Sequence, residues 1–173
     1  MKKTKSQHWS MADISGKAVS RRIAIAGGKI HLGEQAFSLL MEGNLPKGDP
    51  LAMAEIAGIQ AAKQTASLIP LCHPISLNRV MIHSVPRPDD NSVELFCVAE
   101  IAEKTGVEME ALTGLSVALL TIWDLTKPVN AALEISNTRL LFKSGGKRGT
   151  WIHPDGMPEE AQLIVKDLLG EQE

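Results

Sequence analysis

The sequence predicts an α+β fold, a ferredoxin-like sandwich in which helices pack on one face of an antiparallel sheet. Three observations lead there. Elements follow one another as strand, helices, two strands, helix, strand; the middle two strands are joined by a short turn; and the longest helix is apolar enough to cover a sheet. At 173 residues the chain suits one domain with a sizeable core and is too short for two ordinary ones. We divide it into an N-terminal tail over 1–20, a ferredoxin-like domain over 21–149, and a C-terminal tail over 150–173 that carries a short amphipathic helix.

Residues 1–20 are polar and lack periodicity, so they are expected to order only when something binds them. "RRIAIAGGKIHL" reads as a strand interrupted by a Gly-Gly bulge or bend. "GEQAFSLLMEGN" is a short helix ending near Gly43. In "LPKGDPLAMAEIAGIQAAKQTASLI", Asp49 stands at an N-cap and Pro50 at the first helical position. The small residues Ala57, Gly58, Ala61 and Ala62 let another backbone approach that helix, which we take as a sign of a homo-oligomer. "PLCHPISL" is a shaped loop, because Pro70 and Pro74 push Ile69 and His73 toward extended geometry. "NRVMIHSV" and "SVELFCVAEI" form an antiparallel hairpin across "PRPDDN". "TGVEMEALTGLSVALLTIWDLTK" is the long helix, "NTRLLFKSGG" the last strand, and "GMPEEAQLIVKDLLGEQE" the C-terminal helix.

The composition, 44% hydrophobic and 22% charged, argues against disorder over most of the length. A net charge of −2 offers no general field for nucleic acid or an anionic membrane, so neither is an expected partner. The start, "MKKTKSQHWS", has lysines with no apolar stretch behind them, which predicts neither signal nor anchor and a cytoplasmic protein. Cys72 and Cys97 lie far apart, read as small buried hydrophobes, and would stay reduced there. With His73 and His83 they lack zinc-finger spacing, so no metal site is expected; magnesium enters only as a companion of substrate phosphates.

On a helical wheel Glu110, Thr113, Thr121, Asp124 and Lys127 fall within about 60° of Asp124, away from Leu115, Leu119 and Ile122. Taken alone, that stripe is an ordinary solvent-facing edge with an i,i+3 ion pair. Three neighbours change the balance: His73 on a stiffened loop, Lys47 just before a helix start, and Lys147 with Arg148 beside glycines. Cations and free backbone N–H groups are what a phosphate requires. Together with the carboxylate–lysine pair, they make the stripe a candidate pocket wall for a phosphate-bearing ligand. A non-catalytic nucleotide-binding module is the rival, but it would have no use for a carboxylate beside phosphates.

The segments "KGDPLAMAEIAGIQAAKQTASLIPLCHPISL", "KTGVEMEALTGLSVALLTIWDLTK" and "RLLFKSGGKRG" resemble the molybdenum cofactor biosynthesis protein C family, the cyclic pyranopterin monophosphate synthases. The resemblance runs from about Met11 to Gly149. It implies a lyase with a ferredoxin-like fold that converts a cyclised GTP intermediate, 3′,8-cyclo-7,8-dihydro-GTP, to cyclic pyranopterin monophosphate and pyrophosphate. It also implies a homohexamer, a trimer of dimers, with the active site where two subunits meet; separately, we expect no tightly bound cofactor. By the same resemblance Asp124, Lys127 and Lys47 are catalytic. Leu71, Cys72, His73, Met109 and Glu110 hold substrate, with Arg22 near its triphosphate and Glu108 in the same motif; Lys147 is a further candidate for the phosphates. On the wheel Glu108 points about 160° from Asp124. This chain departs from the family's common pattern at Thr126 and Pro128, and the proline is expected to end the helix at Lys127.

Overall fold

A computed structural model describes residues 9–170, so the first eight residues of the expected N-terminal tail lie outside the described residues, as do the last three of the chain. The elements are β1 (Ser20–His31), α1 (Glu34–Met41), α2 (Pro50–Lys63), α3 (Thr65–Leu68), β2 (Arg79–Arg87), β3 (Ser92–Glu103), α4 (Glu108–Thr126), β4 (Glu134–Ser144), β5 (Trp151–Ile152) and α5 (Glu159–Leu169). One antiparallel sheet has the order β2-β3-β1-β4-β5. Its first four strands give the ferredoxin-like arrangement that the element order predicts, with β1 and β3 central. β5 was not foreseen; it pairs with Lys143 and Phe142 at the β4 edge.

Alternation on the central strands decides what each face carries. Ala24, Ala26, Leu95, Cys97 and Ala99 cluster with Leu115, Ala118, Leu119 and Ile122 of α4 and with Ala54 of α2, so these helices form the expected layer. The intervening Ile23, Ile25, Phe96 and Val98 cluster instead with Ala161 and Leu168 of α5. The C-terminal helix thus covers part of the opposite face. It is pinned at both ends: Arg87 pairs with Glu160 at 2.5 Å, and Arg21 Nη2 donates to the Leu168 carbonyl at 3.1 Å.

The foreseen signals act locally. Asp49 Oδ1 accepts from the N–H groups of Leu51 and Ala52 at 2.9 and 3.1 Å, capping α2 ahead of Pro50. The Gly27–Gly28 pair does not break β1, but the register with β4 shifts between Gly27 and Lys29. A Cβ on Gly27 would run into Leu141.

The small residues of α2 have a purpose inside the chain. Gly58, Ala61 and Ala62 are buried, and a Cβ at Gly58 would stand 2.9 Å from the Gly114 carbonyl oxygen. The backbones of α2 and α4 therefore touch where they cross, which accounts for Gly58, Ala61 and Ala62 within one chain. Gly58→Ala adds up to about 1 kcal/mol of helix propensity, but overpacking costs about 1–3 kcal/mol. We expect a net loss of stability, read as a lower urea midpoint at unchanged m-value.

By length and composition α4 is apolar enough to cross a membrane. It is instead the core helix of this domain, with Ala111, Leu115, Ala118, Leu119 and Ile122 fully buried.

Candidate active site

Three groups of polar side chains lie along α4. The first surrounds its N-terminus, where a cavity of about 650 Å³ is lined by Lys17, Arg22, Glu108, Lys143, Lys147 and Arg148. The wall is made by Gly145 and Gly146, whose φ of 98° and 73° suit glycine, because a side chain there would meet the Arg21 carbonyl or the Arg22 guanidinium. Arg22 is aimed by the end of β3: Nε donates to the Glu103 carbonyl at 2.8 Å and Nη2 to that of Lys104 at 3.2 Å. Lys143 Nζ donates to Glu108 Oε1 at 2.9 Å. Burial works to raise the Glu108 carboxyl, but the bond from Lys143 and the fields of Lys143 and Arg22 outweigh it and hold the group below its ordinary range. Five cations thus face one carboxylate that is already paired.

The second group lines an adjoining cavity of about 410 Å³. Leu71, Cys72 and His73 come from the loop after α3, and Met109 and Glu110 from the first turn of α4. Lys17, Gly106 and Glu108 border both cavities, so the two lie side by side. Glu110 is only 4% exposed and has no cation within ion-pair distance among the described residues. Burial raises its carboxyl; its own N–H offsets part of that, and the charge of Glu108 adds to it. Cys72, expected to be a small buried hydrophobe, is instead half-buried in this lining, and burial and then Glu110 raise its thiol above the ordinary range. Cys97, pushed up to about 12 by burial, sits in the core, as a small buried hydrophobe would.

Glu110 makes a pH-dependent prediction. A carboxyl whose folded-state pKa is raised costs stability when ionised, and that cost disappears as pH falls through the raised pKa to the ordinary carboxylate range. Glu110→Gln should therefore melt higher than the parent at pH 7, by about 2–4 °C per kcal/mol gained in a chain of this size. Its advantage should vanish near pH 4, as thermal melts across pH would show.

The third group is at the other end of α4. Lys127 Nζ lies 2.7 Å from Asp124 Oδ1, and Lys47 Nζ 3.1 Å from Oδ2 and 3.1 Å from the Asp124 carbonyl oxygen. Hydrogen bonds from Lys127 and then Lys47 hold the Asp124 carboxyl below its ordinary range. α4 ends at Thr126 with Lys127 as its cap, so Pro128 acts as expected. The Lys127 ammonium lies 5.8 Å from the Trp123 ring centre. All three charged side chains are about half exposed, and by themselves such surface pairs stabilise little.

The expected stripe does not line one recess within a single chain. Glu110 and Asp124 are separated by about 20 Å at the rise of an α-helix. Between them, the Thr121 hydroxyl is engaged with the Val117 carbonyl at 2.8 Å. Arg22, Glu108 and Lys147 share the basic cavity; Leu71, Cys72, His73, Met109 and Glu110 share its neighbour; Asp124, Lys127 and Lys47 stand apart. Sequence reasoning missed Lys143 and Lys17. A lysine on a strand reads as solvated, and Lys17 fell in the presumed tail; only the glycine pair two residues after Lys143 hinted at a bound anion. Among the described residues no three His, Cys, Asp or Glu side chains gather as metal ligands.

The chain matches the model of the MoaC family over residues 11–146. It is 45% identical over 147 residues to a cyclic pyranopterin monophosphate synthase of Chloroflexus aurantiacus, covering 85% of this chain and 90% of that protein. It is 48% identical over 141 residues to the protein of that name in Novosphingobium aromaticivorans, covering 82% and 88%. With the one in Rhodospirillum rubrum the identity is 43% over 141 residues, covering 82% and 85%.

Proposed function

The chain belongs to the MoaC family, and from that premise we infer how its residues carry out the reaction of a cyclic pyranopterin monophosphate synthase, a lyase of molybdenum cofactor biosynthesis. The substrate is the cyclised GTP intermediate that the resemblance implies, and the products are cyclic pyranopterin monophosphate and pyrophosphate. Supporting this above all is the basic cavity lying beside the one that Glu110 lines, with Lys17, Gly106 and Glu108 common to both. The triphosphate lies among Lys17, Arg22, Lys143, Lys147 and Arg148, and the rearranging ring system beside Glu110, His73 and the backbone of Leu71, Cys72 and Met109.

Ring closure on the phosphate forms a bond from a sugar oxygen to the α-phosphorus as the bond to pyrophosphate breaks. The attacking hydroxyl loses its proton, and negative charge builds on the departing pyrophosphate. Fixed cations stabilise that charge better than reorienting water does. Magnesium, if bound, would ride on the substrate phosphates and share this work; the cavity's one carboxylate, Glu108, already pairs with Lys143 and is a poor anchor for it.

Proton transfers elsewhere in the rearrangement need a base and an acid, and Asp124 with Lys127 and Lys47 supplies both. One substrate cannot touch both ends of a helix that spans about 28 Å. In this reading the Lys47–Asp124–Lys127 group of one chain therefore completes the recess of another, in a hexamer built as a trimer of dimers. The compartment is the cytoplasm. To test the function, purified protein is given the cyclised GTP intermediate and pyrophosphate is measured; its absence would end this reading.

A further inference from the structure

Residues 11–17 have no helix or strand, yet they are held in place. His73 Nε2 lies 2.9 Å from the Ala12 carbonyl oxygen, and Lys104 Nζ donates to the Ser15 carbonyl at 3.2 Å. Between these two ties the segment shapes itself: the Ser15 N–H donates to Asp13 Oδ1 at 2.9 Å and the Lys17 N–H to the Ile14 carbonyl at 3.1 Å. The turn points Ile14, alone of residues 9–19 half-buried, inward. Ala12, Ile14 and Lys17 form one side of the 410 Å³ cavity, and Lys17 also borders the basic one.

We propose that residues 11–17 are a strap that opens to admit substrate and closes over the recess, latched by His73 at one end and Lys104 at the other, and carrying Lys17 to the phosphates. The inference rests on the recess being the substrate site. Two side-chain bonds to exposed carbonyls are a weak closure, and the segment buries one apolar side chain. Such a segment opens at low cost. A polyphosphate drawn to Lys17 adds an attraction present only in the closed form, so it shifts the strap toward closure. Lys104 touches neither cavity and serves here as a positioning residue.

Hydrogen exchange of the peptide spanning 9–19, followed by mass spectrometry in the intact protein with inorganic triphosphate as the probe, tests this. Triphosphate should slow exchange severalfold in the parent. In Lys104→Met the unliganded strap should exchange about fivefold faster, the worth of one hydrogen bond. In Lys17→Met the slowing by triphosphate should disappear. In turnover, Lys104→Met should raise KM with kcat nearly unchanged, whereas a merely structural Lys104 would leave KM alone. Exchange that ignores triphosphate in the parent, or is unaltered in Lys104→Met, overturns the strap. Exchange needs no turnover, so an unresponsive strap in an active enzyme rejects the strap alone. A protein that releases no pyrophosphate from the cyclised intermediate rejects the synthase reading instead.

Discussion

Asp124→Asn is expected to lower turnover about a hundredfold or more, the usual scale of a lost acid–base group, with substrate binding largely kept. Asparagine keeps the size and shape and removes the charge. It also replaces two charge-assisted contacts, of 2.7 Å from Lys127 and 3.1 Å from Lys47, with at most one neutral acceptor, while Lys47 keeps its bond to the backbone carbonyl of residue 124. The fold should survive, because the three side chains are half exposed and ion pairs of that kind contribute little to stability. Lys127→Ala should behave alike, and the double variant should be little worse than either single one, since groups acting as a unit are not additive. Steady-state kinetics of pyrophosphate release, with a melting curve on each variant, separates the possibilities. Near-normal kcat would leave the cluster as a solvated helix edge.

A large effect in the opposite direction is expected from mixing two dead enzymes. Arg22→Met/Lys147→Met disables the basic cavity and leaves Asp124 intact; Lys127→Ala does the reverse. If each site joins the recess of one chain to the Lys47–Asp124–Lys127 group of another, a mixed pair contains one doubly damaged site and one undamaged site. Random pairing of equal amounts makes half the pairs mixed, so co-expression should restore about a quarter of the parental activity. Either variant alone should remain near background. A mixture as inactive as its parents would mean that the two groups do not meet across chains.

Much of the architecture could be read in advance because its causes are local. The Asp49 cap and Pro50, the proline-stiffened loop around His73, and the turn at Pro88–Asp90 each depend on a few neighbouring residues. β5 could not be read: two residues show no period, and their pairing with β4 is decided by tertiary contact. The C-terminal helix was legible as amphipathic, but not the sheet face it covers. A clue was present in "LFCVA", a continuous apolar run of the kind found on strands buried on both faces. The candidate residues were individually visible, yet a helical wheel records direction and discards distance. Counting the positions from Glu110 to Asp124 would have shown that they cannot share one small ligand.

The contact between Gly58 and Gly114 gains meaning from that distance. With no side chain between them, the two backbones pack directly, and sliding α2 along α4 would press a side chain into the facing backbone, so α4 acts as a ruler held in one register. In the inferred assembly one end of the ruler belongs to one reaction chamber and the other end to the next. Neighbouring chambers then share a rigid beam, and a strain that displaces the beam misaligns two of them together, however sound the chemistry of each may be.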